Sequence, residues 1–341
     1  MRKRRGAGRP TIADVADRAG VSTITVSRAL RDPAKVSEAL RERIDAAVRK
    51  LDYVPHSHAS ALASSRSNIV GVIVPSLTNN VFADTLRAIY DELEQGPLQV
   101  QLGNSRYVAA EEERLIRIFL SQRPAALIVA GGDQTKAARA LLEKADCPVV
   151  QIMEVDPNPI DMMVGFSHFE GGRAAGYHLL QRGYRNIGFI GARMDPRSRR
   201  RMEGFAEALR SSGRYDSELF MTTTRSSSTS LGAELIGALR EKRPDIEAVF
   251  CNNDDMALGV LFGCQHAGLR VPEDLGIIGF NDLEMMAAAC PSLTSIRTNR
   301  YGIGKTAVDM ISARLDGEGP ENRVVDLGFQ LQERQSTARR A

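Results

Sequence analysis

TIADVADRAGVSTITVSRAL, residues 11–30, reads as two short helices broken at Gly20-Val21. Thr11, with Asp14 three residues on, makes a variant of the capping box at the head of the first helix. Ile12, Val15, Ala16 and Ala19 then recur at helical spacing and give that helix one apolar face. Ser22 is placed to cap the second helix, in which Val26, Ala29 and Leu30 face inward and Thr23, Thr25, Ser27 and Arg28 are polar. A third helix is expected over 37–51, from Ser37 through Leu40, Ile44, Ala47, Val48 and Leu51. Helix, tight turn, small polar helix and supporting helix are the parts of a helix-turn-helix DNA reader. Three amphipathic helices can also pack as a bundle that never touches DNA. The basic N-terminus and the outward face of Thr, Ser and Arg favour the reader.

The rest of the chain is bounded by its totals. At 341 residues and 43% hydrophobic content it is long enough for two or three domains with sizeable cores. A net charge of +3 conceals a local excess, because Arg2, Lys3, Arg4, Arg5 and Arg9 crowd the first nine residues. Residues 1–9 are therefore expected to be a disordered basic arm that seeks phosphate, and 10–55 the helix-turn-helix domain. The Ser- and Ala-rich stretch 56–68 reads as a linker able to become helical when supported, with Leu62 its one large apolar side chain. The N-terminus lacks the apolar region of a secretory signal, and no apolar run nears the ~18 residues of a membrane span. A cytoplasmic protein with no membrane partner is expected. Four scattered cysteines, without metal-ligand spacing, read as free and mostly buried thiols.

From Ile69 the texture changes. Apolar runs at 69–76, 125–132, 147–153, 186–193, 247–254 and 275–282 alternate with amphipathic stretches at 81–95, 109–122, 171–182, 200–212, 230–242 and 255–268. Near-continuous Val/Ile/Leu strands between helices predict parallel sheets covered on both faces, and the length predicts two doubly wound α/β lobes. The boundaries expected are 69–182 with 297–318 for the first lobe, 183–296 with 319–335 for the second, and a tail at 336–341. In open parallel sheets ligands sit beyond the carboxyl ends of the strands. That rule selects Pro75-Ser76, Arg193, Asn252-Asn253-Asp254 and Asn281-Asp282. Two lobes presenting such ends to each other would form a polar cleft for a hydroxyl-rich molecule. Each residue alone also fits a turn after a strand.

Enzymatic motifs are missing. Gly302-Ile303-Gly304-Lys305-Thr306 resembles the end of a phosphate loop, but Asn299 stands where its first glycine belongs, so a helix start is expected. His168 with Glu170 is an isolated acid–base pair, read here as a loop or helix start. No metal site, cofactor or catalytic set is expected.

The run 11–30, followed by VSEALRERIDAAVRKLDYVPH (36–56), resembles the N-terminus of lactose-repressor (LacI/GalR) family transcription regulators. GVIVPSLTNNVFA, RRRMEGF, CNNDDMALG, VPEDLGIIGFND and PSLTSIRTNRYGIGKTA match family landmarks in order over nearly the whole chain. SLTNNVFA, VGFSHFEGGRAAG, IGARMDPR and VVDLGFQL are most similar to the gluconate repressors within it. The resemblance implies a three-helix headpiece, a hinge helix and a two-lobed core like that of periplasmic sugar-binding proteins. It places Thr23, Ile24 and Arg28 toward bases, and Ser22, Thr25 and Ser27 nearer phosphates, with Thr11 at the edge of the same surface. Leu62 falls at the hinge leucine that wedges between base steps. His56 and Ser60 depart from the Asn and Arg common in that hinge, which leaves its phosphate contacts open. The effector contacts implied are Arg201, Asn253 and Asn281, with Glu170, and the strand-end residues Arg193 and Ser76 beside them.

Together these readings imply a homodimeric repressor of a carbohydrate operon that binds a pseudo-palindromic double-stranded operator. The arginines favour a sugar acid such as gluconate as the releasing effector, since guanidinium suits a carboxylate. A neutral sugar or nucleoside, and corepression instead of induction, use the same parts. A solute-binding protein would not need residues 1–68. The C-terminus lacks the heptads of a tetramerisation coiled coil, which leaves a dimer as the default.

Overall fold

The computed structural model describes residues 10–31, 35–54 and 67–339. The basic arm and most of the linker, with His56, Ser60 and Leu62, lie outside the described residues. The chain divides into two units at Asn68/Ile69. In the first, helix α1 spans Ile12–Ala19, α2 Thr23–Arg31 and α3 Glu38–Leu51. The capping box is present: the Asp14 N–H donates to Thr11 Oγ1, and the Thr11 N–H donates to Asp14 Oδ2. Gly20 ends α1 at φ +63, a left-handed conformation that glycine adopts without a Cβ penalty. Arg43 reaches from α3 to donate to the Ala19 carbonyl at 2.6 Å, tying down the turn. Val15, Val26 and Ile44 are fully buried where the helices meet, and Tyr53 closes that core.

The second unit is built of two lobes. Along the first run β1 (Ile69–Val74), α4 (Ala83–Leu93), β2 (Gln99–Asn104), α5 (Ala109–Ser121), β3 (Ala126–Ala130), α6 (Lys136–Glu143), β4 (Val149–Ile152) and β5 (Met162–Gly165). The chain then crosses and forms α7 (His168–Gln181), β6 (Ile187–Gly191), α8 (Pro196–Ser211), β7 (Phe220–Thr222) and α9 (Thr229–Lys242). It continues through β8 (Ala248–Cys251), α10 (Asp254–His266), β9 (Gly276–Asn281), α11 (Glu284–Ala288) and β10 (Thr294–Thr298). It returns for α12 (Arg300–Leu315) and β11 (Val324–Asp326), and crosses again for β12 (Phe329–Gln332). The sheets run β11-β5-β4-β3-β1-β2 and β12-β10-β9-β8-β6-β7. Described pairings are parallel except β10 with β12, which is antiparallel. Each lobe thus has the doubly wound sheet expected of alternating apolar runs and helices.

The expected lobe boundaries need three corrections. Helix α7, placed by its position in sequence with the first lobe, packs on α8 in the second. Strand β11, assigned to the second lobe, pairs with β5 in the first, so the last crossover comes after Asp326. Residues 336–337 are not a tail. Ser336 Oγ donates to the Ile277 carbonyl at 2.6 Å, and Thr337 Oγ1 lies 2.8 Å from His178 Nε2.

Helix pairs in the core touch backbone to backbone at glycines. A Cβ on Gly172 of α7 would lie 2.0 Å from the Arg201 carbonyl, and one on Gly204 of α8 would lie 1.9 Å from the Phe169 carbonyl. This closeness sets where the first half of α7 crosses the middle of α8. Gly204→Ala is therefore expected to destabilise by about 1–3 kcal/mol through overpacking. Gly237→Ala, on α9 with nothing within 4 Å of the new methyl, is expected to stabilise by up to about 1 kcal/mol. Thermal unfolding of the two variants should move in opposite directions.

Candidate functional site

Two surfaces carry the expected chemistry. On the headpiece, Ser22 Oγ accepts from the Thr25 N–H at 3.1 Å and starts α2. That start fixes the helical phase, so Val26 is buried while Thr23, Ile24 and Arg28 are exposed on one side. Ile24 is 71% exposed, an apolar side chain with no core to serve. Thr25 and Ser27 are half-buried at the flanks of this face. Thr11 is exposed, and its hydroxyl donates to Asp14 Oδ2 at 2.7 Å as part of the cap. A guanidinium beside a branched methyl surface can offer donors to guanine and packing to a thymine methyl.

The second surface is the cleft between the lobes. Its polar lining includes Asn79 and Tyr107 from the first lobe and His168, Arg193, Arg197, Arg201, Asn253 and Asn281 from the second. Arg201 is 8% exposed. Its Nε donates to His168 Nδ1 at 3.0 Å and its Nη1 to the Asn252 carbonyl at 2.6 Å. Because arginine only donates, His168 Nδ1 must be the acceptor and Nε2 carries the proton, which it gives to the Met153 carbonyl at 2.8 Å. Burial, reinforced by Arg201 and Arg197, drives the His168 pKa well below its ordinary value and keeps the ring neutral. The Arg201 guanidinium lies 3.9 Å from the Phe280 ring centroid. Burial pulls its pKa down to about 10, leaving a desolvated cation whose described hydrogen-bond partners are neutral. Two of the five donors of a guanidinium are used in these bonds.

Asn281 supplies the opposite polarity. It sits at the end of β9 with φ +111, is 5% exposed, and its Oδ1 has no described hydrogen-bond partner. A buried acceptor without a donor is costly, by about 1–3 kcal/mol, unless something in the cleft supplies one. Asn253 caps α10 through Oδ1, which accepts from the Met256 N–H at 3.1 Å. Arg193, at φ +64, donates to Ser226 Oγ and stacks 4.0 Å from the Tyr107 ring centroid across the cleft.

Glu170 and Ser76 do not line the cleft. Glu170 is on the first turn of α7 with a side chain 43% exposed and paired with Arg173. Ser76 Oγ accepts from the Thr78 and Asn79 N–H groups, so it shapes the turn that presents Asn79. Two further strand-end residues are structural. Asp254 accepts from Leu283 N–H and Ser295 Oγ, and Asp282 is held by Arg297 and Arg334. Sequence reading passed over Tyr107 and Asn79, took Arg197 only as one of the arginines of the run 193–201, and read His168 as a loop or helix start. Arg197 had a signal: Asp195-Pro196 is a helix start, and Arg197 and Arg201 lie four apart on one face. Burial opposes ionisation of Asp195, yet Arg197 and Arg201 hold its pKa below the usual value.

Glu154, at the end of β4, receives Arg200 Nη1 from α8 and so joins the lobes. Burial pushes its pKa up to about 7, against the Arg200 charge. A carboxyl whose pKa rises on folding stabilises fully below its ordinary value of 4.5 and loses that contribution as pH rises through about 7. Glu154→Gln should therefore show a shallower fall in melting temperature between those two pH values than the parent protein. Asp254, also raised to about 7 by burial, keeps the remaining slope.

Comparison with known proteins finds matches to the headpiece and to the core. The description "Bacterial regulatory proteins, lacI family" covers residues 11–56, and "Periplasmic binding protein-like domain" covers 177–337. The HTH-type transcriptional regulator GntR of Pseudomonas aeruginosa is 43% identical over 98% of this chain and 97% of its own. A Lacl family transcriptional regulator from Silicibacter pomeroyi gives a TM-score of 0.92 at 38% identity, covering 97% of this chain and 100% of that one. The lac repressor dimer bound to operator and the anti-inducer ONPF gives 0.81 at 27% identity, covering 97% and 99%. With a matching headpiece, a matching core and likeness along nearly its full length, the chain belongs to the lacI family of bacterial regulatory proteins.

Proposed function

We propose that the protein is a homodimeric repressor of a sugar-acid operon, acting in the cytoplasm and released from DNA by an aldonic acid of the gluconate type. The observation that carries this reading is the desolvated Arg201 guanidinium, which has spare donors and neutral partners in a cleft that also offers the Asn281 acceptor. A carboxylate completes the first and a hydroxyl donor completes the second, and a sugar acid has both. Likeness to regulators named GntR and IdnR supports the same class. The lac repressor, solved as a dimer on its operator, supports dimeric DNA binding.

The cleft reads as a binding site without turnover. Both His168 ring nitrogens are committed, one to Met153 and one to Arg201, so the buried histidine has no lone pair to serve as a base. On the DNA side, Thr23, Ile24 and Arg28 of α2 read base edges, while Thr11, Ser22, Thr25 and Ser27 face the backbone. Leu62 of the linker is assigned the minor-groove wedge. The effector releases DNA only to the extent that it favours the released arrangement of the lobes over the bound one.

Fluorescence anisotropy of a symmetric site upstream of the gene, titrated with gluconate at fixed salt, tests this. Release at micromolar to millimolar acid is expected, and Arg201→Gln should abolish release while leaving DNA affinity intact. Arg28→Ala should weaken operator binding by about 1–3 kcal/mol and relax preference at one base. Operator binding that ignores every sugar acid and responds to a neutral sugar or nucleoside would overturn the effector class. Tightening by gluconate would reverse the sign to corepression.

A further inference from the structure

In this arrangement of the lobes the free space in the Arg201 cleft is small beside a six-carbon acid. Over the whole cleft, from Asn79 and Tyr107 to Arg201, His168 and Asn281, the cavity volume is about 40 Å³. One water needs roughly 10–15 Å³ of such space, so the cleft as arranged here has room for only a small part of such a ligand. A second chamber of about 260 Å³ lies next to it, and Tyr107, Asp195 and Arg197 line both. The second chamber lies beyond the carboxyl ends of β1, β2 and β3, where Pro75, Ser105 and Ala130 line it. Half of its polar lining is carboxylate, with Glu112 on the first turn of α5, Asp133 after β3, and Asp195, and the other half is Ser105, Tyr107 and Arg197.

These carboxylates are not equally free to receive a ligand. Asp195 caps α8 and faces Arg197 at 3.5 Å, so much of its capacity is used. Glu112 has one described hydrogen bond, accepted by Oε1 from Gln134 Nε2 at 3.3 Å, although a carboxylate can accept about four. Gln134 is itself fixed by the Gly131 carbonyl and by Gln151, which holds Glu112 in place at the chamber wall. Ile73, Val108, Ala109 and Ala130, with Pro75 and Pro196, give the chamber an apolar side that suits the carbon side of a hydroxylated chain.

We propose that the effector spans both chambers, with its carboxylate on Arg201, and that Glu112 and Asp133 determine specificity by accepting the hydroxyls at its far end. The proposal rests on the sugar-acid reading above and deepens it: the ligand is selected for the length of its hydroxylated tail as well as for its acid head. Hydroxyl donors match the half-buried Glu112 acceptor, held by Gln134, and the exposed Asp133 beside it, and a chain lacking those hydroxyls forgoes these hydrogen bonds.

Calorimetric titration of the full chain with a series of acids tests the proposal: glycerate, a four-carbon and a five-carbon aldonate, gluconate and 6-deoxygluconate. In the parent protein, affinity should climb along the series, with gluconate about tenfold or more above glycerate and above its 6-deoxy analogue. Glu112→Ala and Asp133→Ala should each flatten the climb by lowering gluconate affinity while glycerate affinity stays unchanged. Glu112→Gln, which keeps an acceptor, should restore part of it. Each variant is read only if its melting curve is cooperative, and either one is sufficient. A series that does not climb, or alanine variants that weaken glycerate and gluconate equally, would overturn the two-chamber assignment while leaving the acid effector standing. If no acid binds the parent protein, both readings fall together.

Discussion

A single buried cation organises the core. Arg201 stays charged out of water because its guanidinium rests on the Phe280 ring and donates to a neutral imidazole and to the Asn252 carbonyl. That arrangement requires the first half of α7 and the middle of α8 to come close, and Gly172 and Gly204 remove the two Cβ atoms that would hold them apart. His168 is tied in turn to the Met153 carbonyl of the first lobe. The helix contact, the histidine tautomer and the position of the cation are therefore one constraint. A solvent-screened arginine at this position would discriminate poorly between an acid and a neutral sugar. A desolvated one feels an approaching carboxylate strongly.

The same region joins the lobes. Arg200 pairs with Glu154, Tyr107 lies over Arg193, and Arg300 at the start of α12 donates to the Asn281 carbonyl while pairing with Asp84 of α4 at 3.0 Å. Residues that line the cleft are thus adjacent to contacts that any change in lobe angle must alter. Asn281 is the clearest case, because its side chain lines the cleft and its backbone oxygen is held from the first lobe. This gives an effector differential contacts to act on, which a shift between two arrangements needs.

Much of this was legible in the sequence because it is local. The capping box at Thr11 and Asp14 and the inward Val26 follow from local spacing, while the outward Ile24 was implied only by the family resemblance. Strand ends at Arg193, Asn253 and Asn281 follow from where apolar runs stop, and all three line the cleft. The errors came from non-local pairing. Nothing within 324–326 distinguishes a strand of the first sheet from one of the second, and α7 joins the second lobe through glycine contacts with a helix about thirty residues on. Asp254 and Asp282 looked like ligand groups, but the residues that neutralise or satisfy them, Ser295, Arg297 and Arg334, lie downstream on β10 and beyond β12. Tyr107 and Asn79 are loop residues whose roles depend on the facing lobe, which local spacing cannot show.

The most direct test of the central claim is a crystal structure of the full chain with gluconate bound. The account predicts the carboxylate within hydrogen-bond distance of the Arg201 guanidinium, with the His168–Arg201 bond intact and a ligand hydroxyl on Asn281 Oδ1. Gluconate seated in the cleft with its carboxylate turned away from Arg201, or a cleft that stays empty at saturating ligand, would contradict it.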